Sequence, residues 1–267
     1  MNENVIRSLS GIVYISVLVL ATLYSIESFF ILFGIFLLLT VKEFARLIHL
    51  PQIPALMASI IVYFQFAVFG SNHLIELGLG ILTTVLLIQL VFWLFSKNNV
   101  SLKLSNWLLL TGYIIFPFVF LTKLPIVNNQ FIPSIIIGIF ILIWTNDTFA
   151  YIVGKSIGKN KLFERVSPKK TIEGFIGGVF FAIIASVIIA KYYVVEMPMI
   201  SWVITAFMIS FFGSIGDLVE SKFKRIANVK DSGSIMPGHG GILDRLDSII
   251  FVAPFLFLFY KIIAYVS

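Results

Sequence analysis

The chain has 267 residues, of which 59% are hydrophobic and 12% are charged. Soluble domains contain about 45–50% apolar and about 25% charged residues, so this composition excludes a soluble globular protein and indicates an integral membrane protein. There are no cysteines, which excludes disulfides, thiolate metal sites and cysteine nucleophiles. The net charge of +6 is expected to set orientation and to attract anionic lipid or nucleotide rather than nucleic acid.

Apolar runs long enough to cross a bilayer predict an all-α, polytopic bundle with about nine transmembrane helices. A helix needs about 20 apolar residues to cross the hydrocarbon core. The first boundary is the least certain, because Ser25, Glu27 and Ser28 interrupt one long apolar run, and the count is eight if they mark only a kink. The expected spans are 8–24, 29–45, 53–70, 74–95, 104–122, 131–153, 171–193, 199–217 and 246–266.

We interpret the chain as one transmembrane catalytic domain, 1–267, in which 1–130 is mainly an apolar scaffold and 131–267 carries the polar motifs. Of the lysines and arginines, only Lys123, Lys191 and Lys261 fall on the side opposite the N-terminus. Positively charged loops stay in the cytoplasm, so the N-terminus and the long polar loops are expected there. No organellar presequence is visible, which favours a bacterial inner membrane.

The eighth predicted span continues past the bilayer as a helix with one polar face. Asp217, Glu220, Ser221, Lys224 and Arg225 are spaced at i, i+3, i+4, i+7 and i+8 and share that face. A juxtamembrane amphipathic helix whose bases reach for headgroups would show the same bases. Asp217 lies near the hydrocarbon edge, where a carboxylate requires a partner, so it is the stronger functional candidate.

A second acidic face opens the last span with Asp244 and Asp247. If the two spans pack side by side, Asp217 and Asp244 can face each other, and two carboxylates in a partly dry site repel unless a cation lies between them. Oxygen ligands without a cluster of His or Cys favour Mg²⁺. Arg245 is the alternative counter-ion, and the same residues would then form a structural salt-bridge network.

The loop between these two acidic faces contains PGHGG, in which little side-chain bulk covers the backbone. Gly240 and Gly241 permit positive φ and let backbone N–H groups approach an anion. Lys230 and Asp231 precede the loop, which strengthens an otherwise weak signal. His239 could act as a base, donate to a phosphate or order the loop, and we favour the last two roles.

A third polar patch ends the sixth span and enters the next loop. Asn146 and Asp147 lie within this span, where a carboxylate is unusual without a functional partner. The run SPKK at 167–170 is expected to supply the N-cap and first residue of the seventh span, with Lys169 and Lys170 in its first turn. Lysines there oppose the helix dipole, and a bound anion would remove the conflict. Lysines facing lipid headgroups are the alternative.

Together these residues resemble the signature of the phosphatidate cytidylyltransferases, also called CDP-diacylglycerol synthases. The signature has the form S-x-x-K-R, a four-residue gap, K-D, and then H-G-G-x-x-D-R-x-D. Here it is filled by Ser221, Lys224, Arg225, Lys230, Asp231, His239, Gly240, Gly241, Asp244, Arg245 and Asp247. The stretch NDTFAYIVGKSIGK through SPKKTIEG also resembles the family, with Lys155 where relatives often carry Arg. The motifs cover roughly Asn146–Gly178 and Gly213–Asp247.

The resemblance implies transfer of CMP from CTP to phosphatidic acid, giving CDP-diacylglycerol and pyrophosphate. It also implies Mg²⁺ dependence, a monovalent cation such as K⁺, contact with membrane lipids, and a homodimer. We expect Asp217 and Asp244 to hold Mg²⁺, with Asp231 and Asp247 as further ligands or supporting groups. The phosphate-neutralising bases are expected to be Lys224, Arg225, Lys230 and Arg245. Binding roles are expected of Asn146, Asp147, Lys169, Lys170, Ser221, Gly240 and Gly241.

Three other functions would use some of the same features. Another CTP-using membrane enzyme, such as a polyprenol or dolichol kinase or a synthase acting on an ether lipid, also needs acids, lysines and a membrane bundle. A transporter predicts polar residues that continue to the outer face, where this chain has few charges. If the protein were a non-catalytic scaffold, the spacing of the acids around the glycine loop would be a coincidence.

Overall fold

The computed structural model describes residues 3–96, 104–194, 197–238 and 240–266. The strands form two antiparallel hairpins, in which Ile126 pairs with Phe131 and Lys161 pairs with Thr171. The described helices are α1 (Glu3–Tyr24), α2 (Ile26–Leu47), α3 (Gln52–Tyr63), α4 (His73–Phe95), α5 (Asn106–Leu109), α6 (Phe116–Lys123), α7 (Pro133–Ile157), α8 (Ile172–Tyr192), α9 (Met199–Ile226) and α10 (Leu243–Val266). The described strands are β1 (Ile126–Val127), β2 (Gln130–Phe131), β3 (Lys161–Phe163) and β4 (Ser167–Thr171).

Within the described residues, eight helical segments are long and apolar enough to cross a membrane. The prediction of an all-α, polytopic membrane protein is therefore confirmed. A π-helical segment, Leu110–Ile115, joins α5 to α6, and together they make one of these eight spans. The remaining predicted span, 53–70, corresponds to the shorter helix Gln52–Val68, whose last part is π-helical. At about 1.5 Å per residue it reaches about 25 Å, less than the hydrocarbon core.

The polar break at Ser25 separates two helices. The backbone of Ser25 is extended, with φ −164° and ψ 166°. Its hydroxyl accepts the backbone N–H of Ser28 at 3.1 Å, and the hydroxyl of Ser28 accepts the backbone N–H of Ser25 at 3.1 Å. This reciprocal arrangement is a capping box, which starts a new helix. The interpretation of the break as a helix boundary is therefore confirmed.

The loop before α8 differs from the sequence-based expectation. Ser167 and Pro168 do not begin a helix, because they belong to strand β4, which pairs with β3. The prediction that Lys169 and Lys170 lie in a first helical turn is therefore wrong, since both are on the strand. Successive side chains of a strand point to opposite faces. In agreement, Lys169 is exposed whereas Lys170 is half-buried.

Helix α8 begins after Thr171, whose hydroxyl accepts the backbone N–H of Gly174 at 3.1 Å. The acid in its first turn is Glu173. The carboxylate of Glu173 accepts the backbone N–H groups of Lys159 and Asn160, each at 3.1 Å. An acid at this position suits the helix dipole and ties the preceding loop to the helix. The conflict between lysines and the dipole therefore does not arise.

Small residues let the helices that carry the polar motifs approach closely. A Cβ added to Gly178 would lie 2.7 Å from Oδ1 of Asn146 on α7. A Cβ added to Gly216 on α9 would lie 2.8 Å from the backbone oxygen of Asp247 on α10. The hydroxyl of Ser248 also donates to the backbone oxygen of Gly213 at 3.2 Å. Helices α9 and α10 therefore pack side by side, as the proposed meeting of their acidic faces requires.

The end of α9 is fastened to α4 by a buried lysine. The ammonium of Lys222 donates to the backbone oxygen of Trp93 and lies 4.1 Å from the centre of the Trp93 ring. Arg165 donates to the backbone oxygens of Ser96 at 2.7 Å and Leu94 at 3.3 Å. Two cations thus satisfy carbonyl groups at the C-terminal end of α4, where helices leave carbonyls unpaired.

Replacing Lys222 by Met should destabilise the protein by about 2 kcal/mol, since a hydrogen bond from a charged group to a buried carbonyl is lost. Thermal unfolding of the detergent-purified protein would measure this loss. Lys159→Met is the matched control, because Lys159 is exposed. Equal melting temperatures for the two variants would show that Lys222 does not fasten α9.

Candidate active site

The polar ends of α7, α8, α9 and α10 and the β3–β4 hairpin enclose a cavity of about 1000 Å³. This volume is at the upper end of the range for small-molecule sites. Helix α1 also lines it, through Gly11, Tyr14 and Ile15. The N-terminal segment is therefore part of the site as well as of the scaffold. The charged residues that line the cavity are Asp147, Asp217, Asp231, Asp244 and Asp247, with Lys155, Lys161, Lys169, Lys170, Lys224 and Arg245.

Strand β4 is joined to α9 by an ion pair inside the cavity. The Nζ of Lys170 lies 2.5 Å from Oδ2 of Asp217, and the hydroxyl of Ser221 donates to Oδ1 of Asp217 at 3.2 Å. Burial alone would lower the pKa of Lys170, but Asp217, Asp147 and Asp247 together raise this pKa above its usual value. The lysine therefore remains charged at neutral pH, and its ion-pair partner is Asp217.

A second ion pair joins α9 to α10. The Nζ of Lys224 lies 2.6 Å from Oδ1 of Asp244 and 2.5 Å from Oε2 of Glu220. The other oxygen of Asp244 accepts the backbone N–H groups of Ser232 at 2.9 Å and Gly241 at 2.7 Å. Asp244 therefore organises the glycine loop with Oδ2 and presents Oδ1 to a cation. Each of the two predicted metal ligands has its own lysine.

Three further predicted acids, Asp147, Asp231 and Asp247, line the same cavity. Asn146 is buried, and its amide donates to Oδ1 of Asp147 at 3.2 Å. The Oδ1 of Asn146 is buried and has no hydrogen-bond partner within the described residues. Asp247 is buried, and its Oδ1 accepts the backbone N–H of Ser248 at 2.7 Å. Asn146, Asp147 and Asp247 thus contribute to the lining of the cavity that Lys170 also lines.

The structure does not bring every predicted residue to the cavity wall. Arg225 and Lys230 are exposed and do not line it, and Arg225 donates to the backbone oxygen of Val229 at 3.2 Å. Their predicted phosphate-binding roles stay predictions. Gly240 has φ 85°, and a Cβ there would lie 2.6 Å from Oδ2 of Asp244. His239 lies outside the described residues.

Sequence reasoning missed one acid that shapes this site, Glu43 on α2. It is fully buried, and its carboxylate accepts the backbone N–H groups of Ile242 at 3.1 Å and Leu243 at 2.9 Å. It also accepts the hydroxyl of Ser232 at 3.1 Å. The sequence did contain a signal that could have identified Glu43, because it is an acid inside the apolar span predicted at 29–45. The same reasoning singled out Asp147.

Replacing Lys170 by Met should lower the thermal stability of the detergent-purified protein, because Asp217 loses its cation. A lysine with a raised folded-state pKa contributes its full stabilisation below about pH 10, its pKa when unfolded, and loses it only as the pH rises through the raised value. The loss in melting temperature relative to wild type should therefore not shrink from about pH 6 to about pH 9.

A difference that shrinks across this window would contradict the ion pair between Lys170 and Asp217. Lys155→Met is the matched control, because Lys155 lines the same cavity without a carboxylate partner among the described residues. Its melting temperature should stay close to that of the wild type over the same pH range.

Comparison with known proteins extends the resemblance beyond the polar motifs. A family model described as the cytidylyltransferase family matches residues 5–263. A phosphatidate cytidylyltransferase of Staphylococcus aureus (strain COL) is 35% identical over 257 residues, which cover 94% of this chain and 96% of that protein. One of Bacillus subtilis (strain 168) is 35% identical over 227 residues, which cover 84% and 83%. The resemblance read from the signature is thus confirmed, and the chain belongs to the cytidylyltransferase family and is a nucleotidyltransferase.

Proposed function

We propose that the chain transfers CMP from CTP to phosphatidic acid and forms CDP-diacylglycerol and pyrophosphate. The observation that carries this proposal is the cavity at the ends of the apolar helices, in which lysines and aspartates from α7, β3, β4, α9 and α10 converge. The names of the relatives in Staphylococcus aureus and Bacillus subtilis support phosphatidate as the acceptor. The unequal distribution of loop charge supports a cytoplasmic site in a bacterial inner membrane.

The chemical step requires charge neutralisation more than a strong base. The second pKa of a phosphomonoester is about 6, so the phosphate of phosphatidic acid is largely ionised at neutral pH. One of its oxygens forms a bond to the α-phosphorus of CTP. The bond from that phosphorus to the bridging oxygen breaks, and its electron pair leaves with pyrophosphate. The protein must therefore hold two polyanions together and stabilise the leaving group.

One wall of the cavity offers positive charge for this purpose. Lys155, Lys161 and Lys169 line it, and none forms an ion pair with a carboxylate of the described residues. The Nζ of Lys161 donates to the backbone oxygen of Pro168 at 2.7 Å, which holds its side chain on the β3–β4 hairpin. These lysines would bind phosphate oxygens, and Lys170 and Lys224 would add charge near the acids of the opposite wall.

The donor set fits Mg²⁺ when the substrate supplies part of the coordination. The described residues contain no group of three or more acids or histidines arranged as a complete metal centre. Mg²⁺ is usually held by one or two carboxylates together with substrate phosphates, and Asp217 and Oδ1 of Asp244 would provide them. The metal would supply charge neutralisation on the triphosphate. Asn146 and Asp147 would contact the cytidine or a monovalent cation such as K⁺.

A homodimer is proposed from the family resemblance alone. The glycines at GxxxG spacing, Gly174 and Gly178, lie against α7 of the same chain. They therefore favour packing within the protomer. Their spacing gives no separate support for association of two copies.

The direct test is transfer of label from α-³²P-CTP into a lipid fraction, with phosphatidic acid as acceptor and detergent-purified protein. Labelled CDP-diacylglycerol and unlabelled pyrophosphate are the expected products. A kinase would instead leave the label in CDP and phosphorylate the lipid. An absence of labelled lipid from the wild-type protein would contradict the proposed function.

Asp217→Asn and Asp244→Asn should each lower this activity by about two orders of magnitude or more, because each removes a charged oxygen that faces a cation. Glu164→Gln is the matched control, since Glu164 is an exposed acid outside the cavity lining. The variants should elute as the wild type does on gel filtration. Wild-type turnover in both aspartate variants would end the metal assignment.

A further inference from the structure

We propose that Glu43 is a positioning residue for the transfer reaction: its buried carboxylate fixes the glycine loop and, through Ser232, orients the carboxylate of Asp244. The inference rests on the proposed function, because it concerns the same cavity. Glu43 does not line that cavity and lies outside both stretches that carry the family signature. It therefore acts through other residues.

The surroundings of Glu43 show that its carboxylate has a defined task. The residue is 0% exposed, and no described lysine or arginine forms an ion pair with it. A buried charge is costly unless hydrogen bonds compensate for the lost water. The backbone N–H groups of Ile242 and Leu243 provide this compensation, and the hydroxyl of Ser232 adds to it whenever its one hydrogen points to Glu43 rather than to Asp244. Hydrogen bonds to a charged acceptor are the strong ones.

Two of these donors, the backbone N–H groups of Ile242 and Leu243, belong to the start of α10. The first N–H groups of a helix lack partners within the helix, and Ile242, which precedes Leu243, has an apolar side chain that cannot accept them. Glu43 supplies the missing acceptor from α2, and the dipole of α10 favours its negative charge. Asp244, in the first turn of α10, meanwhile accepts the backbone N–H of Gly241 at 2.7 Å.

Ser232 connects the cap to the predicted metal ligand. Its hydroxyl oxygen lies 3.1 Å from Oε2 of Glu43 and 2.9 Å from Oδ2 of Asp244. A serine hydroxyl has one hydrogen, so it donates to one of these carboxylates at a time. Any shift of Glu43 therefore changes how Oδ2 of Asp244 is held and where Oδ1 points. Oδ1 is the oxygen that faces Lys224.

Two glycines, Gly233 and Gly241, are explained by this carboxylate. A Cβ added to Gly233 or to Gly241 would clash with the carboxylate oxygens of Glu43. The loop thus wraps around Glu43 at a distance that only glycine permits. Glycine is therefore needed at these two positions so that the backbone can approach the side chain of Glu43, whether or not a phosphate also approaches the loop.

The test compares Glu43→Gln with Glu27→Gln, the same substitution at an exposed position on the same helix. We expect Glu43→Gln to lower kcat by about 10- to 100-fold, the range for a reacting group displaced by about 1 Å. KM for CTP should change much less, because the lysines proposed to bind phosphate lie on α7 and the β3–β4 hairpin. Amide hydrogen exchange should accelerate in peptides covering 232–245 and stay unchanged in the rest of α10. Glu27→Gln should match the wild type in every measurement.

Ser232→Ala provides a second variant that leaves the cap on α10 in place. It should lower kcat by a smaller factor than Glu43→Gln and leave the exchange of Ile242 and Leu243 unchanged. Wild-type kcat in both variants, or unchanged exchange over 232–245 in Glu43→Gln, would overturn the proposal. Wild-type protein that makes no CDP-diacylglycerol would contradict the proposed function, whereas the exchange experiment would still report whether Glu43 holds the loop.

Discussion

The site depends on two ion pairs, which give each of the two proposed metal ligands its own lysine. Lys170 pairs with Asp217, and Lys224 pairs with Asp244. Removing a carboxylate from water at the end of a membrane bundle is costly, and a nearby ammonium offsets that cost only when the geometry is good. The two pairs join β4 to α9 and α9 to α10. The ion pairs that offset the cost of burying these carboxylates are therefore the same interactions that hold the elements of the cavity together.

The glycine loop is held from two sides by residues remote in sequence. Glu43 of α2 accepts the N–H groups at the start of α10, and the hydroxyl of Ser10 on α1 donates to the backbone oxygen of Pro237 at 3.0 Å. A Cβ added to Gly238 would lie 2.6 Å from the side chain of Arg7. The first two helices, which read as apolar scaffold, thus determine where the loop lies.

Sequence reasoning succeeded where the interaction is local. The contact between Ser221 and Asp217 is four residues apart on one helix, and helical periodicity predicts it. It failed at Lys169 and Lys170, because the Ser-Pro pair has the same local pattern as a helix start, and only pairing with β3 shows that it is a strand. It also failed at Glu43, whose partner Leu243 is 200 residues away in sequence. A local sequence pattern cannot predict a contact between residues so far apart in the chain.

The arrangement of charge explains how a cavity with so many acids can attract anionic substrates. The acids of α9 and α10 face ammonium groups or backbone N–H groups, so much of their charge is compensated within the protein. Lys155, Lys161 and Lys169 have no such carboxylate partners among the described residues, and they lie together on α7 and the β3–β4 hairpin. A low-dielectric wall strengthens the field of such charges. The proposed phosphate-binding lysines would therefore act from other elements than the carboxylates that are proposed to meet a metal ion.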